Sequence, residues 1–188
     1  MDAGLHLQSD MRALSFLVLF AVLPTEIAVG ADNTHPYRSR LKRATVGKIA
    51  LVRVAVGAGI AQIRNAPEKY GGGPEGFAKR LGSGFATHAV KTTVEHVVAA
   101  RLHEDLNYHR SDKEGIAPRV AYALTSTVII RNTGNGKRRP AAGRLAGNAA
   151  AGAFMQGVLA AGSGAATAGL GLAAEAGVNV VREFLPRR

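Results

Sequence analysis

The 188-residue chain has no cysteine. That excludes a disulfide framework and any thiolate nucleophile or thiolate metal ligand. Tryptophan is absent too, and aromatic residues make up only 5 % of the chain. Charge is missing from residues 145–174 altogether. Nucleophile and phosphate-loop motifs are also lacking. Ser83 in "RLGSGF" and Ser163 in "AAGSGA" have no first glycine of a Gly-x-Ser-x-Gly elbow. "NTGNGK" lacks the first glycine of a phosphate loop, and Arg138 stands where Ser or Thr should follow its lysine. These absences assign no catalytic residue and no cofactor.

Acidic residues are scarce: 13 Asp and Glu stand against 24 Lys and Arg, a formal charge of +11. Part of the pattern is explained at the start of the chain. Arg12 precedes the apolar run "ALSFLVLFAVL", then come Pro24, a short polar stretch and the small residues "AVGA". This order describes a secretory signal peptide over residues 1–31, cleaved after Ala31. The apolar run is far shorter than the ~20 residues a bilayer demands. Without those residues the chain carries 23 basic against 10 acidic side chains. An exported protein this basic is drawn to an anionic envelope surface of lipid or glycan, or the charge serves solubility alone. The expected localisation is the periplasm or cell envelope.

Residues 32–44 form a polar, basic leading segment, and residues 45–188 read as one helical domain. The expected fold class is all-α, a small helical bundle. Residues 45–64 suit a helix, with a strand as the competing reading because Val and Ile are frequent. "NAPEKYGGGPEG" is a turn-rich linker. Residues 77–106 predict a helix interrupted at Gly82-Ser83-Gly84. Its helical spacing puts Val90, Val94, Val97, Val98 and Leu102 on one face, and His88, Thr92, Glu95, His96, Ala99 and His103 on another. Residues 107–118 are a loop. Residues 119–131 fit either helix or strand, with helix preferred, and residues 132–140 are a turn bearing Lys137, Arg138 and Arg139.

The uncharged stretch is dominated by alanine, the best helix former. Nine glycines fall between Ala141 and Gly177. Each costs ~1 kcal/mol against alanine inside a helix, and close backbone approach offsets that loss. Gly143, Gly147 and Ala151 recur at four-residue spacing, as do Ala165, Gly169, Ala173 and Gly177. The expectation is a helical hairpin over about 140–184, turning at Gly162-Ser163-Gly164. Its small-residue rows would pack on each other or drive self-association.

The histidines do not make a metal site by spacing. His96 and His103 stand seven residues apart, ~10 Å along a helix, and "HEDLNYH" lacks the His-Glu-x-x-His pattern. No metal is assigned to His103, Glu104 and His109. A hydrated or interfacial polar face is expected of the helix histidines instead, with a charge that rises on acidification. The basic cluster Lys137, Arg138 and Arg139, with Arg144 a turn later, suits contacts to phosphates, but no aromatic platform interleaves with it, so no specific nucleic-acid partner is predicted.

The stretches "YGGGPEGFAKRLGSGFATHAVKTTVEHVVAARLHEDLNYHR", "PRVAYALTSTVIIR" and "GVNVVREFLPR" resemble a family of exported bacterial cell-envelope proteins. The most specific parts are Leu102-His103-Glu104-Asp105 with Tyr108 and Arg110, and Glu183-Phe184-Leu185-Pro186. Relatives usually carry Trp where Leu185 stands. The resemblance implies a signal peptide and a small-residue-rich helical body, and it brings no activity. It directs attention to Glu104, Asp105, Tyr108, Arg110, Arg119 and Tyr122 as a binding site or as fasteners of the loop between two helices. The reading favoured is an envelope-associated protein with a structural or interaction role. The alternatives are a cationic protein that binds anionic glycan, lipid or nucleic acid, and a hydrolase using His103 and Glu104.

Overall fold

A computed structural model describes residues 35–157 and 164–185. The signal peptide and the Gly162-Ser163 turn lie outside them. The architecture is all-α with one small two-stranded sheet: α1 (His35–Val46), α2 (Lys48–Ile63), a 3-10 turn (Glu68–Tyr70), α3 (Gly73–Arg101), α4 (Ile116–Val128), β1 (Ile129–Arg131), β2 (Arg138–Pro140), α5 (Ala142–Gly157) and α6 (Gly164–Phe184). The described residues fall into two compact units, 35–86 with 153–157, and 87–152 with 164–185.

In the first unit, α2 is a helix despite its Val and Ile content, and Gly57 and Gly59 lie inside it. Gly47 separates it from α1, and a Cβ there would strike the Arg43 carbonyl. The linker after α2 is held by one side chain. Arg80, on α3, is buried and donates to the carbonyls of Ala66, Pro67 and Gly71 and to the side chains of Gln62 and Asn65. Its guanidinium also lies 5.9 Å from the centre of the Tyr70 ring. Among the described residues no carboxylate takes part, so the stabilisation comes from saturating five donors with neutral acceptors.

The expected break at Gly82-Ser83-Gly84 does not occur. α3 runs unbroken from Gly73 to Arg101, and the Ser83 hydroxyl donates to the Arg80 carbonyl. Gly84 faces α2, where a Cβ would sit 3.6 Å from the Val54 side chain. Two glycines cost a helix ~2 kcal/mol, too little to interrupt eight packed turns.

In the second unit, the first small-residue row packs as expected of it, but onto a different helix. A Cβ on Gly143 would lie 2.8 Å from the Glu95 carbonyl oxygen, and one on Gly147 would lie 2.7 Å from that of Lys91. The helix face bearing Lys91, Glu95 and Ala99 is therefore a helix-packing face, not a hydrated one. Thr92 and Ala99 are buried on it, the His96 ring bonds the Thr92 carbonyl at 2.9 Å, and His88 lies 3.5 Å from the Thr92 hydroxyl.

The second row does not pack. Ala165, Gly169, Ala173 and Gly177 are all exposed, with nothing near a Cβ on Gly169 or Gly177. α6 turns Gly164, Gly171, Glu175, Asn179 and Glu183 inward instead. A Cβ on Gly152 would strike the Gly164 carbonyl, and one on Gly171 would strike Asn148 Oδ1. The reason is polar: Glu175, Asn179 and Glu183 share one stripe at helical spacing, and a buried polar group must find a partner. Asn179 donates to the Thr127 hydroxyl at 3.1 Å on α4. Satisfying that stripe rotates the small row outward.

The turn over 132–140 is in fact a β-hairpin. β1 and β2 pair antiparallel, with Ile130 opposite Arg139 and Arg131 opposite Arg138. Asn132 shapes its loop by accepting from the amides of Gly134 and Asn135.

Candidate functional site

The second unit has an unusual interior. Among its described residues the two largest fully buried side chains are Glu183 and Asn148. Three polar clusters lie in this unit, and members of the second and third line one cavity.

The first is built on Glu104. Its carboxylate accepts from the amides of Ala142 at 3.0 Å and Gly143 at 2.8 Å, the first two residues of α5. A carboxylate distant in sequence thus satisfies donors that a helix N-terminus leaves orphaned. Arg139 Nε stands 3.8 Å from Glu104 Oε1, and its guanidinium donates to the Leu102 carbonyl.

The second is built on Glu183, whose side chain is fully buried at the C-terminal end of α6. It accepts from the Tyr108 hydroxyl at 2.6 Å, the Ser111 hydroxyl at 2.5 Å, the Ser111 amide and Arg119 Nε at 3.2 Å. Arg119 also donates to the Glu183 carbonyl and lies 4.4 Å from the centre of the Phe184 ring. Burial alone would raise the Glu183 carboxyl. The hydrogen bonds from Ser111, Tyr108 and Arg119 overcome it and hold the group at about 2. The same contact works the other way on Tyr108, whose hydroxyl is raised above its ordinary value by burial and then by the Glu183 charge.

The third joins α3, α5 and α6. Lys91 meets Glu175 at 2.5 Å and Glu95 at 3.3 Å; Arg144 stands 3.8 Å from Glu95 and 3.6 Å from Glu175. Asn148 donates to Glu175 Oε1 at 3.0 Å. Burial would lower the Lys91 ammonium, but the two carboxylates raise it. Arg144 further donates to the carbonyls of Ser126, at 2.6 Å, and Leu106, at 3.0 Å.

Arg144 and Tyr108 form walls of a cavity of about 110 Å³. Tyr122 and Ser126 of α4 and Ile129, Ile130 and Arg131 of β1 line it further. Arg138 of β2 and the loop residues Asp105, Asn107 and His109 complete it. The Tyr108 and Tyr122 rings meet edge to face with centres 6.3 Å apart, and the Arg138 guanidinium lies 5.9 Å from the Tyr122 ring centre. Asp105 accepts from His109 at 2.7 Å and from the amide and side chain of Asn107. Burial pushes its carboxyl up, but these bonds more than reverse that and hold it below its ordinary value.

Of the residues singled out in the sequence, Asp105, Tyr108, Tyr122 and Arg138 line this cavity. Glu104 and Arg119 do not, because their charged groups are spent on the α5 amides and on Glu183. Arg139 turns toward Glu104, Lys137 is exposed in the hairpin loop, and Arg110 is half-buried outside the lining. His103, exposed with φ 55°, has no part in the bonds of Glu104, so the pair does not build an acid–base site. Among the described residues no three His, Asp or Glu side chains gather around a common point suited to a metal ion.

Sequence reasoning named Arg144 beside the basic cluster but missed Arg131 and Ser111. For Arg131 the signal was partial: Asn135-Gly136 after the β-branched run ending at Ile130 marks a hairpin, but a two-residue turn there would set Arg131 opposite Pro140, whereas the observed partner is Arg138. Comparison with family models, curated proteins and solved structures finds no match for this chain.

Proposed function

We propose that the protein is an exported, envelope-associated protein held to a membrane through α2, with a structural or interaction role carried by its second unit. One observation carries the reading: α2 is turned inside out for a water-soluble helix. Its buried residues are the small Ala50 and Ala58. Its large side chains face outward, with Ile49 71 %, Val52 61 %, Val56 56 %, Ile60 52 % and Ile63 87 % exposed. These five recur at helical spacing and form one stripe. An exposed apolar stripe of this length calls for lipid or a partner surface.

By length and composition, Ser39–Ile63 and Gly164–Phe184 are both long and apolar enough to cross a membrane. The first suits insertion better. Arg40, Lys42, Arg43 and Lys48 crowd one end of it, as expected beside an anionic lipid surface. Arg53, one turn further in, can snorkel toward that end on its apolar stem. α6 is read differently, because Glu175, Asn179 and Glu183 tie it to the rest of its unit. The resemblance to exported envelope proteins agrees with this placement. The hydrolase alternative loses its anchor, since His103 and Glu104 do not converge.

The test is fractionation of the expressed full-length protein, with N-terminal sequencing, a high-salt wash and a carbonate wash. An N-terminus at Asp32 and retention through both washes are expected. Val56→Asp with Ile60→Asp should then release the protein. Release of the unmodified protein by salt would instead identify a peripheral cationic protein and overturn the anchor.

A further inference from the structure

We propose that the cavity beside the β-hairpin is an anion site that takes a phosphate group through Arg131 and Arg138. This goes beyond the membrane reading and does not depend on α2.

The hairpin register sets the argument. Arg131 and Arg138 are directly opposed across β1 and β2. Directly opposed residues on an antiparallel pair project to the same face, and like charges there repel. A pair of lysines or arginines in this position ordinarily finds a carboxylate. Here, among the described residues, neither Arg131 nor Arg138 has a carboxylate within ion-pair distance. Arg138 is held over Tyr122 instead. Both residues are exposed, yet both line the cavity.

The rest of the lining suits an anion. Arg144 also lines the wall, but Glu95 and Glu175 meet its charge and the carbonyls of Ser126 and Leu106 take its N–H groups, so the anion falls to Arg131 and Arg138. Asp105 is the one carboxylate in the lining, and His109 and Asn107 already occupy it. Arginine forks match the oxygens of a phosphate in pairs, and two forks from adjacent strands can share one group. The space of about 110 Å³ admits a phosphate with a few attached atoms. An anion there relieves the repulsion that the hairpin otherwise carries, so binding and stability are coupled.

The phosphate can belong to a free small molecule or to a lipid headgroup, and the experiment separates them. The full-length protein in non-ionic detergent is titrated calorimetrically with inorganic phosphate and, separately, with dihexanoyl-phosphatidylglycerol below its micelle concentration. Saturable binding of at least one probe is expected. It should weaken at least tenfold in Arg131→Gln/Arg138→Gln and persist in Arg131→Lys/Arg138→Lys. Tighter binding of the lipid identifies a headgroup site; tighter binding of phosphate identifies a small-molecule site. Thermal melting gives a second readout. Without phosphate the Gln variant should melt at or above the wild type, because repulsion is gone. Saturating phosphate should raise the melting temperature of the wild type by several degrees and leave the variant unmoved. No saturable binding of either probe, or equal affinity in the Gln variant, overturns the proposal.

Discussion

Glu183 offers the sharpest test of the interior described above. It is fully buried, and Tyr108, Ser111 and Arg119 all donate to it. These bonds hold its carboxyl at about 2 against an ordinary 4.5. In the unfolded chain the group returns to the ordinary value, so folding favours the ionised form. The stabilisation is therefore fully present above pH ~4.5 and is lost as pH falls toward ~2. At ~1.4 kcal/mol per tenfold, that difference amounts to roughly 3 kcal/mol. Glu183→Gln keeps the shape but removes the charge, and it aims an amide at donors that need an acceptor. It should cost about 2–4 kcal/mol at pH 7, in line with breaking a buried, hydrogen-bonded ion pair. Its own stability should then change less between pH 5 and pH 2 than that of the wild type. The assay is urea unfolding followed by circular dichroism at 222 nm, on both proteins, at intervals across that window. If the two curves of stability against pH ran parallel, Glu183 would not be the ionised hub of this cluster, and the linkage argument would fail.

Two further predictions concern glycine and arginine. Gly147→Ala should destabilise by about 1–3 kcal/mol in thermal or urea melts, since the added Cβ would lie 2.7 Å from the Lys91 carbonyl oxygen and 2.8 Å from the Glu95 Cβ. Gly169→Ala should stabilise by up to ~1 kcal/mol, because its site is open and alanine is the better helix former. Equal effects would refute the assignment of the two rows. Arg80→Lys should leave most of the five acceptors around the 66–71 turn unsatisfied and cost about 2–4 kcal/mol; limited proteolysis should then cut that turn first, whereas an unchanged cleavage pattern would argue against it.

What the sequence by itself determined is local. Alanine content made helices of α5 and α6 whatever surrounds them, and Gly143, Gly147 and Ala151 announced a face without side chains. The four-residue row of Glu175, Asn179 and Glu183 was equally plain to read. Its consequence was not, because which of two stripes turns inward depends on partners elsewhere. The tertiary structure decided that contest in favour of the polar stripe. A small residue loses little at the surface, while an unpaired buried carboxylate costs several kcal/mol. It also chose the partners. Arg119 and Tyr108 reach Glu183 across 64 and 75 residues, and Glu104 reaches the α5 amides across 38 and 39. Helical periodicity extends over a few turns and says nothing at such separations. The same limit hid the cavity: Arg131 and Arg138 were both visible in the chain, but only the hairpin register set them opposite each other with no acid between.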